Sequence, residues 1–292
     1  MASLRDIRRR IKSVKGTSQI TKAMQMVAAS KMRKAQQAAL NGRPYALSLN
    51  RVLVTLRDHV DSNLHPLLAK REGARKLVIL FTTDKGLCGG LNTNLFREVI
   101  GFDKENTEFI SVGRKGTQFL ARTGRKIVAE FPLKDQPTFL ETKKISQLAM
   151  ERFLSGDVDG VTVLYPRFVN TLMQVPTIVP VLPVTSLEEM GLEMKGEDVA
   201  EPRAGADDEI LIEPDAHTVL DAILPYYVHF EVYQLLLGTR ASEHSARMVA
   251  MKSATDNAKQ LVKDLTLEYN KARQASITKE ILEIATAQLA LG

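Results

Sequence analysis

The sequence predicts an α/β chain in which long helices at its two ends pair as an antiparallel coiled coil, with a small α/β domain inserted between them. Apolar residues at both ends recur at alternating spacings of three and four, the period of a helix that buries one stripe. Between the ends, short continuous apolar runs alternate with helix-patterned stretches, as in a mostly parallel sheet covered by helices. After Pro225 there is no further proline, and Gly238 is the only glycine before Gly292, so little interrupts a terminal helix. The expected divisions are a coiled-coil helix over 1–70, an α/β domain over 75–215 and a second coiled-coil helix over 216–292.

The first helix opens with Leu4, Ile7, Ile11, Val14, Ser18, Thr21, Met24 and Ala28 along one seam. Ser3 and Asp6 form a capping-box signature in front of it. Ala23, Met26, Ala29, Met32, Ala35 and Ala38 keep helix propensity high. Gly42 and Pro44 are expected to weaken or kink the helix, because proline lacks a backbone donor; the pattern resumes from Tyr45 to about Leu68.

Residues 76–84 then form a continuous apolar run, the look of a strand buried on both faces. Further strands are expected at 108–113, 126–131 and 160–168, with helices at 92–99, 115–122 and 145–154. Residues 176–183 read as an edge strand because prolines suit that place. Residues 186–209 are acidic and aperiodic, the mark of a surface loop, and 210–214 reads as a short strand. The last helix starts near His217, with Pro225 at a kink. Its seam is assigned to Met248, Met251, Ala258, Leu261, Leu265, Ala272, Ile277, Ile281, Ile284 and Leu291. At a rise of ~1.5 Å per residue, some 65 residues would make a rod of roughly 100 Å.

The bulk composition narrows the function. The chain has 292 residues, 44% of them hydrophobic and 25% charged, a globular composition. It has no tryptophan and only 5% aromatic residues, which argues against a stacking platform for single-stranded nucleic acid. Cys88 is the sole cysteine, so no disulfide forms within the chain and a reducing compartment is expected. No run approaches the ~20 apolar residues that span a bilayer. The first residues lack the apolar block of a secretory signal and are read as mature protein.

The net charge of +6 conceals an asymmetry. Residues 1–60 carry thirteen lysines or arginines against Asp6 and Asp58, whereas residues 188–215 carry eleven acids against Lys195 and Arg203. Such polarity speaks of partners more than of fold. The basic helix allows three readings: a grip on nucleic-acid phosphates, a solvated face, or docking into an acidic protein sleeve. Charge does not choose among them.

The search for chemistry returns no catalytic, cofactor or metal site. Residues 84–92 (DKGLCGGLN) follow a strand and precede a helix, where a phosphate cradle would sit, yet they match neither G-x-G-x-x-G nor G-x-x-x-x-G-K-[ST]. A tight turn is the better reading, with Cys88 as a small packing residue. His59, His65, His217, His229 and His244 show no metal spacing and are expected at the surface or its boundary.

Longer stretches are more specific. Residues 20–36 (ITKAMQMVAASKMRKAQ), 84–92, 241–258 (ASEHSARMVAMKSATDNA) and 269–284 (YNKARQASITKEILEI) together closely resemble the gamma subunits of bacterial F-type ATP synthases. The resemblance spans both ends and the middle, in order. It implies a non-catalytic central rotor shaft whose inserted domain is Rossmann-like, with no bound cofactor. The implied partners are the alpha and beta subunits of the catalytic hexamer, the epsilon subunit and a ring of c subunits. It places the chain peripherally on the cytoplasmic side of the bacterial plasma membrane, and no longer favours nucleic acid, which stays as the alternative. By motif match it implies that Met24, Arg247, Arg273, Gln274 and Thr278 touch the beta subunits. The plant-type insertion with a cysteine pair is absent, so thiol control is not expected.

Overall fold

The computed structural model describes residues 3–57, 65–71, 73–132, 134–184, 213 and 215–291. Its elements are α1 (Leu4–Arg57), β1 (Lys76–Phe81), α2 (Leu91–Gly101), β2 (Thr107–Val112), α3 (Arg114–Arg122), β3 (Lys126–Phe131), α4 (Phe139–Leu154), β4 (Gly160–Phe168), β5 (Gln174–Leu182) and α5 (Ala216–Leu291). They fall into two compact units: one of residues 1–29 with 247–292, the other of residues 30–246. α1 and α5 contribute to both.

In the larger unit the strands form one sheet in the order β3-β2-β1-β4-β5. β1 pairs in parallel with β2 and β4, β2 with β3, and β5 runs antiparallel at the edge. Pro176 and Pro180 lie on that edge strand, where a missing donor is tolerated. Side chains alternate along β1, and both faces are buried. Leu77, Ile79 and Phe81 join Ile145, Ala149 and Phe153 of α4, Ala46, Leu49 and Leu53 of α1, and Leu224, Val228 and Val232 of α5. Val78 and Leu80 face the other way, against Leu95 and Val99 of α2 and Phe119 and Leu120 of α3.

Several expectations are corrected. Pro44 does not interrupt the first helix, which runs unbroken through it. Pro44 is exposed, while Ala39, Ala46, Leu49 and Leu53 around it are buried, so tertiary packing carries the helix past the missing bond. The first helix does not reach Leu68: α1 is described as far as Arg57, 58–64 lie outside the described residues, and residues 65–68 form a turn. α4 begins at Phe139, six residues before the expected start, because Thr138 and Glu141 form a reciprocal capping box. The acidic loop 186–209 lies outside the described residues; so does the strand expected at 210–214, apart from Glu213, which sits in a bend.

Candidate functional site

The smaller unit is a pair of helices. Ser3 caps α1 as its sequence suggests: Asp6 donates its backbone N–H to Ser3 Oγ at 3.2 Å, and Ser3 Oγ donates to the Asp6 carboxylate at 2.9 Å. Along α1, Ile7, Thr21 and Ala28 are buried, with Leu4, Ile11, Val14 and Ser18 half-buried between them. Along α5 the matching seam is Met251, Thr255, Ala258, Val262, Leu265, Tyr269 and Ala272, all buried or half-buried at spacings of four and three. Thr21 Oγ1 and Thr255 Oγ1 meet across the seam at 2.7 Å. Toward its start α1 shares a groove with Thr266 and Tyr269 of α5. As α1 is followed backward from Thr21, α5 runs forward from Thr255, so the pair is antiparallel.

This register corrects part of the expected α5 seam. Leu261 is 47% exposed, and Ile277, Ile281 and Ile284 are 48%, 60% and 65% exposed. Residue type picked them out, but only positions in step with Met251, Ala258 and Leu265 face α1. Thr255 and Tyr269 do so despite their polar atoms. With Thr21 level with Thr255, Arg273 is level with Ser3, so Ile277 and everything after it lies beyond the start of α1.

The five expected contact residues fall into two groups. Met24 and Arg247 are half-buried, whereas Arg273, Gln274 and Thr278 are exposed. Thr278 Oγ1 donates to the Gln274 carbonyl at 2.9 Å, which joins those two. From Arg247 to Arg273 is 26 residues of continuous helix, about 39 Å at the helical rise. Sequence reasoning missed a further set of exposed apolar side chains: Ile20 (63%), Met26 (60%) and Val27 (55%) on α1, Leu267 (59%) and Leu282 (60%) on α5. The available signal was apolar type at positions out of step with the seam.

In the larger unit the glycine-rich turn follows β1, beside β4, where the direction of strand succession reverses. An open α/β sheet takes its ligands at such a point. Here Cys88 and Leu91, the first residue of α2, form a buried cluster with Ala246 of α5. The chain's own helix thus packs against the start of α2, where a phosphate would rest. Asn92 Nδ2 donates to Thr83 Oγ1 at 2.8 Å and to Cys88 Sγ at 3.5 Å, holding the turn closed. Cys88 is 2% exposed, the small packing residue that was expected.

A charge network anchored on the buried Arg240 lies nearer the β3–α4 connection. Arg240, 2% exposed, donates to Asp135 Oδ1 at 2.9 Å and to Glu243. Lys31 of α1 reaches the second oxygen of Asp135 at 2.5 Å, and this bond holds the Asp135 carboxyl below its usual range. One carboxylate therefore ties α1 and α5 to the same loop.

The histidines are more buried than expected. His65, His229 and His244 lie inside, His217 is exposed, and His59 lies outside the described residues. His65 Nδ1 accepts the Leu67 N–H at 3.1 Å, and its Nε2 lies 3.2 Å from Asp221. His229 Nδ1 lies 2.7 Å from Ser146 Oγ. Their nitrogens serve internal bonds, and no group of three metal-binding side chains occurs among the described residues. No described helix is long and apolar enough to cross a membrane.

Comparison with known proteins agrees with this architecture. The family model described as ATP synthase matches residues 3–291. The ATP synthase gamma chain of Opitutus terrae is 54% identical over 99% of both chains, and that of Methylacidiphilum infernorum is 48% identical over the whole of both. Among solved structures, a chain of the Tetrahymena thermophila mitochondrial ATP synthase central stalk and c-ring is 25% identical, with a TM-score of 0.60 over 80% of this chain and 99% of that one. A chain of the Euglena gracilis mitochondrial ATP synthase, 21% identical, shares the fold with a TM-score of 0.67 over 99% of this chain and 94% of that one. By full-length sequence and by fold, the chain belongs to the ATP synthase gamma-chain family.

Proposed function

We propose that the chain is the central rotor shaft of an F-type ATP synthase. Of its terminal segments, 1–70 and 216–292, the helix pair of residues 1–29 with 247–292 turns inside a hexamer of three alpha and three beta subunits. The α/β domain, 75–215, is the foot, seated with the epsilon subunit on a membrane ring of c subunits. Proton flow turns ring and shaft together, and the asymmetric shaft favours a different conformation in each beta subunit as it passes. Coupling of this kind requires differential contact with otherwise equivalent neighbours. Nucleotide chemistry stays in the hexamer. This chain drives it without catalysing, held peripherally on the cytoplasmic side of the bacterial plasma membrane.

The observation that carries the reading is the outward set of apolar side chains on a helix pair that already has its own seam. Ile20, Met26, Val27 and Leu267 are each more than half exposed on the pair, as are Ile281 and Ile284 on α5 beyond the start of α1, as suits a shaft enclosed by other chains. Met24 and Arg247 form one grip on the beta subunits, and Arg273, Gln274 and Thr278 the other. The arginines make charge-assisted bonds that form and break in rotation.

Purification from the native membrane tests the reading: the chain should elute with alpha and beta subunits. Recovery with DNA and without them would establish the nucleic-acid alternative instead. Met24→Lys adds a cation at the first grip, and ATP-driven proton pumping in vesicles should fall severalfold while the complex still assembles. Undiminished pumping would remove Met24 from the contact set.

A further inference from the structure

The turn at residues 65–68 is held by an imidazole that uses both of its nitrogens. Leu68 donates its N–H to the His65 carbonyl at 3.0 Å, and Pro66 takes the second place of the turn, where its fixed φ is favoured. Inside the turn Leu67 donates its N–H to His65 Nδ1 at 3.1 Å, and the Leu67 carbonyl accepts the Val184 N–H at 2.9 Å. His65 Nε2 lies 3.2 Å from one oxygen of Asp221, whose other oxygen lies 3.3 Å from His217 Nδ1. The turn thus joins the residues just after β5 to the beginning of α5. Its Leu67 sits in the main core with Val184, Leu220 and Leu224.

These contacts fix where the ring carries hydrogen. A nitrogen that accepts an N–H bears no proton, so His65 is the neutral tautomer with its hydrogen on Nε2, directed to Asp221. A second proton has only Nδ1 to go to, where it would face the Leu67 N–H, donor against donor. Among the described residues the charged or titratable groups that face His65 are Asp221 and His217, both of α5; α1, the turn and the residues after β5 bring none. Burial, the largest influence, opposes the added proton, Asp221 favours it and His217 opposes it, and the balance holds the ring below its ordinary 6.5. The closed turn therefore binds this proton less readily than the open one. Its contribution is full above pH 6.5 and is lost as pH falls below that value.

We propose that the 65–68 turn is an acid-released clasp in the α/β domain: a proton from solvent on His65 Nδ1 expels the Leu67 N–H, opens the turn and parts Leu67 from Val184. The imidazolium stays drawn to the Asp221 carboxylate, so the tie to α5 outlasts the tie to the end of β5. The clasp lies wholly within the larger unit and stands apart from the rotor reading.

Hydrogen exchange of the full chain, followed at single amides by NMR and divided by the intrinsic rate at each pH, tests the clasp. From about pH 7.5 to about pH 5.5 the protection of Leu67, Leu68 and Val184 should fall at least about threefold, while that of the β1 amides holds. His65→Asn keeps an acceptor for the N–H two residues on but does not titrate, so its protection should not change over this range. The His65 ring, followed directly in the unaltered chain, should titrate below 6.5, and lower still in Asp221→Asn. Protection indifferent to pH, a loss shared by β1, a loss that persists in His65→Asn, or a ring that titrates at or above 6.5 overturns the proposal. Should His65→Asn not fold, the ring titration decides.

Discussion

Gly113 lies between β2 and α3 with φ +103° and ψ 136°, a region that side chains other than glycine rarely enter. Gly113→Ala would place its methyl carbon 2.4 Å from the carbonyl oxygen of Thr82 and 2.8 Å from its carbon. Thr82 has little freedom to retreat. Its N–H donates to the Val112 carbonyl at 2.8 Å, and its Oγ1 accepts the Gly116 N–H at 2.8 Å. The strained backbone costs about 1–3 kcal/mol, and relieving an overlap of about 1 Å against backbone costs about 1–3 kcal/mol more, for a total near ~4 kcal/mol. That is a large part of the roughly 5–15 kcal/mol that holds a domain folded. With no tryptophan to report, the sole cysteine, 2% exposed in the turn after β1, serves as the probe. Thiol labelling of Cys88 across a urea series should show the α/β unit opening at lower urea, with its unfolding free energy reduced by that amount. Gly101→Ala is the control, since its Cβ meets nothing within 4 Å, and it should change stability by no more than about 0.5 kcal/mol. A loss below about 1 kcal/mol for Gly113→Ala, against the overpacking scale, would refute the account of a clamped Thr82.

The Glu231 carboxyl is fully buried, and burial pushes it from its ordinary 4.5 up to about 8. The unfolded chain therefore binds fewer protons than the folded one between these values, so stability is full below pH 4.5 and is lost as pH rises through 8; Glu231→Gln should flatten that slope and raise the unfolding free energy from urea titration at pH 8 by about 2 kcal/mol. Thr21→Val removes the 2.7 Å seam bond, but Thr255 Oγ1 still donates to the Met251 carbonyl at 2.8 Å. The single change should cost about 1 kcal/mol in thermal unfolding, and Thr21→Val with Thr255→Val no more, since neither leaves a buried donor stranded. Arg240→Met should cost about 3 kcal/mol in urea because a buried guanidinium leaves its carboxylates. Asp135→Asn, at a side chain 62% exposed, should cost under about 1 kcal/mol.

Strands were legible wherever an apolar run met a breaker on each side: β3 and β4 occupy the expected residues, and β1 lies within its expected run. The α1 seam was equally plain, because threes and fours fit no other period. The start of α4 was missed although Thr138 and Glu141 spell a capping box, since the apolar pattern strengthens only at Ile145. Pro44 misled as a break in the pattern because local propensity is weak against a packed neighbour, and Tyr45 beside it is set against Phe230 at a ring distance of 5.0 Å. Of the candidate contacts, the sequence named the motif-borne ones. It passed over Ile20 and Val27, whose exposure follows only from knowing which stripe faces the partner helix.

By itself the sequence determined the terminal helices, the strand–helix alternation between them and the motifs that mark the family, because these depend on local periodicity and residue order. Tertiary structure decided the strand order with its antiparallel edge, the placing of Ala246 against the glycine-rich turn, and the register set by Thr21 and Thr255. That register turns Leu261 outward and carries the late isoleucines beyond the start of α1. A helix repeats its apolar positions every three or four residues whatever lies beside it, and only the partner helix, brought from some 230 residues away, selects which repeat is buried.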